Sequence, residues 1–290
     1  MATKFRTPPR PLSPPPEPEF FYGWRIEWVN TPEGARDYVQ IPLTAEEALH
    51  PEEGYIMPEN TEHAQIIKRL TDMLEERYAN DPNTAVYADL IIQWDVPGLK
   101  GHCPDVMVIP NVQDRDKKRG KFRVSKEGTR PILAIEVVSQ SSKDFDRVKK
   151  VDHYARAGVQ EYVYIDSWKR DGRAVWEIAG FRLAGDHYLP MLPDEEGSLY
   201  CETVGLRIGI KKGEVWMQDY KTGEYLMTNL EAQAARRLAE TRAAEAEYRN
   251  AEAESRAAEA ETRAAEEKTT REALEARLAE LEAKLRGASL

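Results

Sequence analysis

The chain has 290 residues, with 51 acidic and 41 basic side chains, a net charge of −10 and a mean hydropathy of −0.65. That length admits one large or two small domains, and no apolar run approaches the roughly 20 residues that span a bilayer. Cys103 and Cys201 lie far apart, with no Cys or His at metal-ligand spacing, which argues against a disulfide framework or a structural zinc site and for a reducing cytoplasm.

The chain opens Met-Ala-Thr-Lys-Phe-Arg and runs into prolines rather than an apolar segment, so no secretory signal is expected. Residues 7 to 19 hold seven prolines, which fix φ and remove backbone donors; a disordered Pro-rich arm over 1–19 is expected. From Phe20 to Val29 the chain is aromatic, and such side chains are expected to cover one side of the core. Asn30 to Glu59 is polar, carries scattered Pro and Gly, and reads as loop.

Ile66, Ile67, Leu70, Met73, Leu74 and Tyr78 recur at three- and four-residue intervals, which predicts a helix over 61–78 capped by Asn60 or Thr61, with Glu62 and His63 in its first turn. Ala85 to Trp94 alternates and predicts one strand with Val86, Ala88, Leu90 and Ile92 on one face. Between Arg115 and Lys126 stand seven basic residues in twelve positions, among them Lys117, Lys118, Arg119 and Lys121. The segment reads as a solvated loop tip or, more sharply, as a phosphate-tracking loop for nucleic acid beside the site described next.

The stretch from Pro131 to Asp166 reads strand, helix, strand. Residues 132 to 138 are a nearly unbroken apolar run of the kind found in a strand covered on both faces, and Glu136 interrupts it where an unpaired charge is costly. Asp105 opens another apolar run directly after Pro104, at a strand start where Pro is tolerated. Two carboxylates on neighbouring strands repel unless a cation or a proton lies between them, and an oxygen-only site suits Mg²⁺ or Mn²⁺. A helix is expected from Phe145 to Ala157, ending at Gly158, with Lys150 and Tyr154 on one face and Lys149 off it. Tyr154 reads as a core aromatic, and Asp166 as the end of its strand. Ala174–Ile178, Leu189–Leu192 and Leu206–Ile210 are expected as antiparallel strands added to the same sheet.

From Leu226 Pro is absent and Gly occurs only at 287. Arg242, Arg249, Arg256 and Arg263 fall seven apart, and Glu245, Glu252 and Glu259 each precede the next Arg by four, which predicts a long charged helix over 226–290. Its seam is mostly alanine until Leu274, Leu278, Leu281 and Leu285, so a lone helix and a coiled coil that makes a homo-oligomer are both open. Outside this tail stand 30 basic and 37 acidic side chains, which argues against avid nonspecific DNA binding.

Four blocks, Cys-Pro-Asp105-Val-Met-Val, Ala-Ile-Glu136-Val-Val-Ser, Asp146-Arg-Val-Lys-Lys150-Val-Asp-His-Tyr154 and Gly158-Val-Gln-Glu-Tyr162-Val-Tyr-Ile-Asp166, resemble the Uma-two family of restriction-endonuclease-like proteins. The resemblance covers roughly residues 40–215. It implies an α/β (α+β) fold with a restriction-endonuclease-like mixed sheet flanked by helices over 20–225, followed here by the long C-terminal helix. It also implies that Asp105 and Glu136, with the carbonyl of Val137, hold Mg²⁺ or Mn²⁺, and that a lysine supports the attacking water. The third position of the family's Glu-x-Lys pattern is Val138, and the displaced lysine matches Lys150 on the following helix. Glu62 or His63 would complete the shell. The implied activity is a divalent-metal-dependent endonuclease that hydrolyses phosphodiester bonds in DNA; the alternative is a noncatalytic nuclease-fold interaction protein assembled through its C-terminal helix.

Overall fold

The computed structural model describes residues 21–30, 36–57, 60–139, 142–143, 145–170, 173–211 and 213–287; the expected arm over 1–19 lies outside them. The chain divides into two units, residues 1–229 and 230–290. In the first, β1 (Trp24–Asn30) and β2 (Arg36–Pro42) form a two-stranded antiparallel ribbon. The aromatic stretch therefore does not blanket the core: Phe21 is 54% exposed and Trp28 58%. Part of the expected loop is ordered as β2 and as α1 (Ala45–Leu49), which Thr44 and Glu47 start with a reciprocal capping box.

Helix α2 (Thr61–Arg77) is capped by the Asn60 side chain, which accepts from the His63 N–H at 2.8 Å. β3 (Ala85–Ala88) and β4 (Ile91–Gln93) replace the single strand expected over 85–94. Asp89, at a φ of 50°, turns the chain between them, and the two strands join different sheets. β5 (Val106–Ile109), β6 (Lys121–Arg123), α3 (Val124–Glu127) and β7 (Leu133–Val137) follow. A wide, π-type turn over Phe145–Lys149 leads into α4 (Lys150–Arg156), and Gly158, at a φ of 75°, takes the left-handed position after it. β8 (Glu161–Arg170), β9 (Arg173–Ala184), β10 (His187–Pro190), β11 (Leu199–Cys201), β12 (Leu206–Lys211) and β13 (Glu214–Asp219) complete the unit.

The main sheet has six strands in the order β10-β9-β8-β7-β5-β3, antiparallel except for the β7–β8 pair. It is mixed, as the sequence implies, but Leu206–Ile210 lies in a separate three-stranded sheet, β11-β12-β13. Alternation along β7 decides what each face carries. Leu133, Ile135 and Val137 pack into a core with Ile66, Ile67, Leu70, Met73 and Leu74 of α2 and with the three-stranded sheet. Ala134 turns the other way, into a core with Tyr154 of α4, Tyr162, Phe122 and Trp94. Each fully buried leucine or methionine of α2 contributes about 1.5–3 kcal/mol, which fixes the helix across the sheet. Glu136, one position from two residues of the first core, is thereby aimed at the α4 side.

In the second unit, α5 (Asn229–Gly287) is one helix of 59 residues, about 88 Å long at 1.5 Å per residue. The predicted ion pairs form: Arg249 with Glu245 at 3.4 Å, Arg263 with Glu259 at 3.7 Å, and Arg256 with Glu252 at 2.5 Å. Leu274, Leu278 and Leu281 are exposed along it. Among the described residues, no helix is long and apolar enough to cross a membrane.

Candidate active site

The ladder between β5 and β7 pairs Val106 with Ile135, and one step further in that register sets Asp105 opposite Glu136. Asp105 lies just before β5, and its Oδ2 accepts the Val137 N–H at 2.6 Å. His63, in the first turn of α2, turns inward and is buried. Its Nε2 donates to the Val137 carbonyl at 2.7 Å and lies 3.4 Å from Asp105 Oδ2. Glu62, about 100° round the helix from His63, is exposed; of the two candidates on α2, only His63 reaches the carboxylates.

From the other side α4 delivers Lys150. Its Nζ lies 2.9 Å from Glu136 Oε2 and 2.7 Å from Asp146 Oδ1, while Lys149 turns away and places its ammonium 5.4 Å from the Phe145 ring centre. Tyr154 is a buried ring, as expected, but its hydroxyl also donates to Glu136 Oε1 at 2.6 Å. Both oxygens of Glu136 are thus oriented from one helix face.

Asp146 is the site residue that sequence reasoning missed. It stands in the Asp-x-x-x-Lys spacing that puts two side chains on one helical face, and this alone could have flagged it. It is almost fully buried, and the carbonyl of its wide turn accepts from Tyr162 Oη at 2.7 Å. Asp166 does not end its strand. β8 continues past it, and Asp166 is buried beside Arg147 at 3.1 Å. Arg147 also pairs with Glu177 and lies over the Tyr164 ring, so the wide turn is fastened to both β8 and β9.

Burial pushes the carboxyls of Glu136 and Asp146 above the usual carboxylate range, against the pull of Lys150. Burial also works against the Lys150 charge, but Asp146 and then Glu136 outweigh it and raise its pKa, so the ammonium is held charged. Removing the Tyr154 hydroxyl tests this network. Tyr154→Phe leaves the ring but strands a buried acceptor, an expected loss of about 1–3 kcal/mol in urea unfolding; a midpoint unchanged from wild type would show that water replaces the hydroxyl.

A second polar cluster lies behind Tyr154. His50, His102 and His153 bring ligand-capable nitrogens within 4.8 Å of one another, although intervals of 51 and 52 positions hid them from any spacing rule. Hydrogen-bond direction decides what they do. The Trp94 indole N–H donates to His102 Nδ1 at 2.8 Å, so His102 carries its proton on Nε2 and donates it to His153 Nδ1 at 2.9 Å. That separation is shorter than the roughly 3.3 Å between two nitrogens on a tetrahedral zinc, and both His102 nitrogens are already used. The arrangement is a hydrogen-bonded buttress, with the His102 ring 5.3 Å from that of Tyr154.

Burial, with the Lys150 charge, lowers the His102 pKa from 6.5 to about 2, and burial with His50 lowers that of His153. A histidine whose folded pKa is depressed contributes stability that is fully present above the unfolded value and lost as pH falls below it. Between pH 7.5 and 5.5 His102 alone should cost about 1.4 kcal/mol. Urea unfolding at pH 7.5 and 5.5 should show a smaller loss for His102→Gln than for wild type; equal losses would mean that His102 is hydrated.

The basic loop is not beside the carboxylates. Arg115 donates to the carbonyls of Tyr78 and Asp81, both at 2.7 Å, at the C-terminal end of α2, about 22 Å along the helix from His63. Arg119 is an internal strut: it donates to Glu127 at 3.0 Å and Tyr87 Oη at 2.9 Å, with its side chain 3% exposed. Lys117 and Lys118 are exposed, and Lys121 is half-buried. Counting charges could not separate these roles, because an arginine that caps carbonyls reads like one that waits for phosphate.

The profile of a family described as "Uma2: Putative restriction endonuclease" matches residues 36–210. A crystal structure of a putative nuclease belonging to DUF820 from Anabaena variabilis is similar at 18% identity and a TM-score of 0.33, covering 47% of this chain and 79% of that one. No curated protein sequence matches. Over more than half its length, through the segment that carries Asp105, Glu136, Asp146 and Lys150, the chain belongs to the Uma2 family.

Proposed function

We propose that the body is a divalent-metal-dependent endonuclease hydrolysing phosphodiester bonds in DNA, with Asp105, Glu136 and the Val137 carbonyl holding Mg²⁺ or Mn²⁺. The observation that carries this reading is an excess of carboxylate over cation: Asp105, Glu136 and Asp146 converge where Lys150 is the buried ammonium. The donors are oxygens, which suits a hard cation. A cation bound there would polarise a phosphoryl oxygen and lower the pKa of a water molecule. Lys150, held charged at 2.9 Å from Glu136, offers a donor to the attacking water or to the charge that develops on phosphorus oxygens. Tyr154 fixes the Glu136 carboxylate, and His63 holds the Val137 carbonyl in place. Lys117 and Lys118 would meet phosphates some 20 Å away, about six base pairs along a duplex. The exposed leucines of α5 offer a weak homo-oligomer seam.

The test is cleavage of single- and double-stranded DNA and of RNA with Mg²⁺ or Mn²⁺, beside Glu136→Ala. Metal-dependent cleavage of DNA that the variant lacks supports the reading. A wild-type protein that binds metal and cuts none of these substrates favours the noncatalytic interaction protein.

A further inference from the structure

We propose that the β1–β2 ribbon is an interface for a second copy of this chain, joined edge to edge through β2. The backbone parity of the ribbon is fixed at its base, where the Leu43 N–H donates to the Gly23 carbonyl at 2.9 Å. Stepping along the ladder, residues 37, 39 and 41 turn their N–H and C=O groups toward β1, while Arg36, Tyr38 and Gln40 turn theirs outward. The outer edge of β1 is occupied at Trp24, which exchanges hydrogen bonds of 2.9 and 2.8 Å with Ile56. Among the described residues, no strand pairs with the outer edge of β2.

That edge is only lightly protected: the Tyr38 N–H donates to the neighbouring Asp37 Oδ1 at 2.8 Å, an exposed contact that a pairing strand would displace. Natural sheets blunt exposed edges with lysine, proline or a bulge, and β2 has no lysine and no proline before Pro42. One face of the ribbon is apolar, with Trp28, Tyr38 and Ile26, while the other sets Val29 and Val39 among Arg25, Glu27 and Asp37; these five apolar side chains are 36–58% exposed. A two-stranded ribbon of this kind is marginal alone and gains from further strands.

Charge selects the occupant. Arg25 and Arg36 are offset by Glu27 and Asp37, so the ribbon has no net charge to attract a phosphate backbone. It suits a neutral strand, and β2 is complementary to itself. With a two-fold axis through Tyr38, Tyr38 faces the second copy's Tyr38, Arg36 faces Gln40 and Asp37 faces Val39, with no like charges opposed. Within each ribbon Trp28 stands 5.9 Å from Tyr38 and Arg36 lies 4.7 Å over Trp28. Pairing would extend this into a row of four aromatic rings across four strands.

Sedimentation of the full chain over a concentration series tests the proposal. Wild type should dimerise, and Tyr38→Lys and Tyr38→Glu, each opposing like charges at the axis, should weaken association at least tenfold with the circular dichroism spectrum unchanged. Gln40→Pro, which removes an outward N–H and no bond within the ribbon, should do the same. An equimolar mixture of the Lys and Glu variants should recover the dimer. A variant with Leu274, Leu278 and Leu281 all changed to alanine should still dimerise, losing less than the Tyr38 variants do. A monomeric wild type, dimers that persist in the Tyr38 variants, a dimer lost with the leucines, or a Lys/Glu mixture that stays monomeric would each overturn it, the last leaving a foreign strand as the occupant.

Discussion

Lys150→Ala should unfold about 3–5 kcal/mol more easily than wild type in the absence of metal, a fall of roughly 10 °C in Tm, and should lose cleavage by two to three orders of magnitude. The ammonium lies between two buried carboxylates, so its removal leaves both without a counter-charge rather than merely breaking a contact. Added Mn²⁺ should restore part of the lost stability without restoring the rate, because a second cation can answer charge but cannot replace a donor placed by α4. Lys149→Ala is the control: its side chain is exposed and lies over Phe145, and the variant should stay within about 0.5 kcal/mol of wild type. Chemical denaturation and single-turnover cleavage of both variants decide the matter. Equal loss of rate from the two would replace a placed lysine by general phosphate attraction.

Asp105→Asn should abolish calorimetric Mn²⁺ binding yet fold as well as wild type or better, whereas Asp105→Ala should abolish binding and also lose about 1–3 kcal/mol. The difference comes from the second task of Asp105. Its Oδ2 accepts the Val137 N–H at 2.6 Å, which an asparagine oxygen can still do and a methyl group cannot. Loss of the charge alone relieves repulsion with Glu136 across the ladder. Metal uptake by Asp105→Asn equal to that of wild type would remove Asp105 from the cation shell. If the alanine variant were the more stable of the two, the backbone bond would be worth less than the repulsion.

Glu136, inside an apolar strand, was legible in the sequence. A charge inside an apolar strand demands a partner, and the structure places Asp105 and Lys150 within reach of Glu136. Helix α2 followed from periodicity and its cap. What stayed hidden depends on contacts between distant segments. His50, His102 and His153 share no spacing, and the two parts of Ala85–Trp94 diverge because Asp89 adopts a positive φ that no alternation pattern announces. The aromatic segment from Phe21 to Trp28 has the composition of a core strand, and only the tertiary structure shows it standing out as a ribbon. Asp166 was read as a strand end because an acidic residue there suggests solvent; Arg147, from the turn preceding α4, makes its burial tolerable.

The wide turn over Phe145–Lys149 behaves as one residue more than a regular helix would need to cover the same rise. Deleting a single residue there, Val148 for instance, which is 66% exposed, would let the turn close into regular helix and leave Asp146 and Lys150 three residues apart instead of four, which rotates one against the other. Lys150 and Tyr154 would rotate off Glu136 together, or Asp146 would. Such a deletion is a frame error in three dimensions: every side chain survives, and the constellation does not. The turn can therefore exchange the exposed Val148 freely, but it cannot change length without also relocating the lysine.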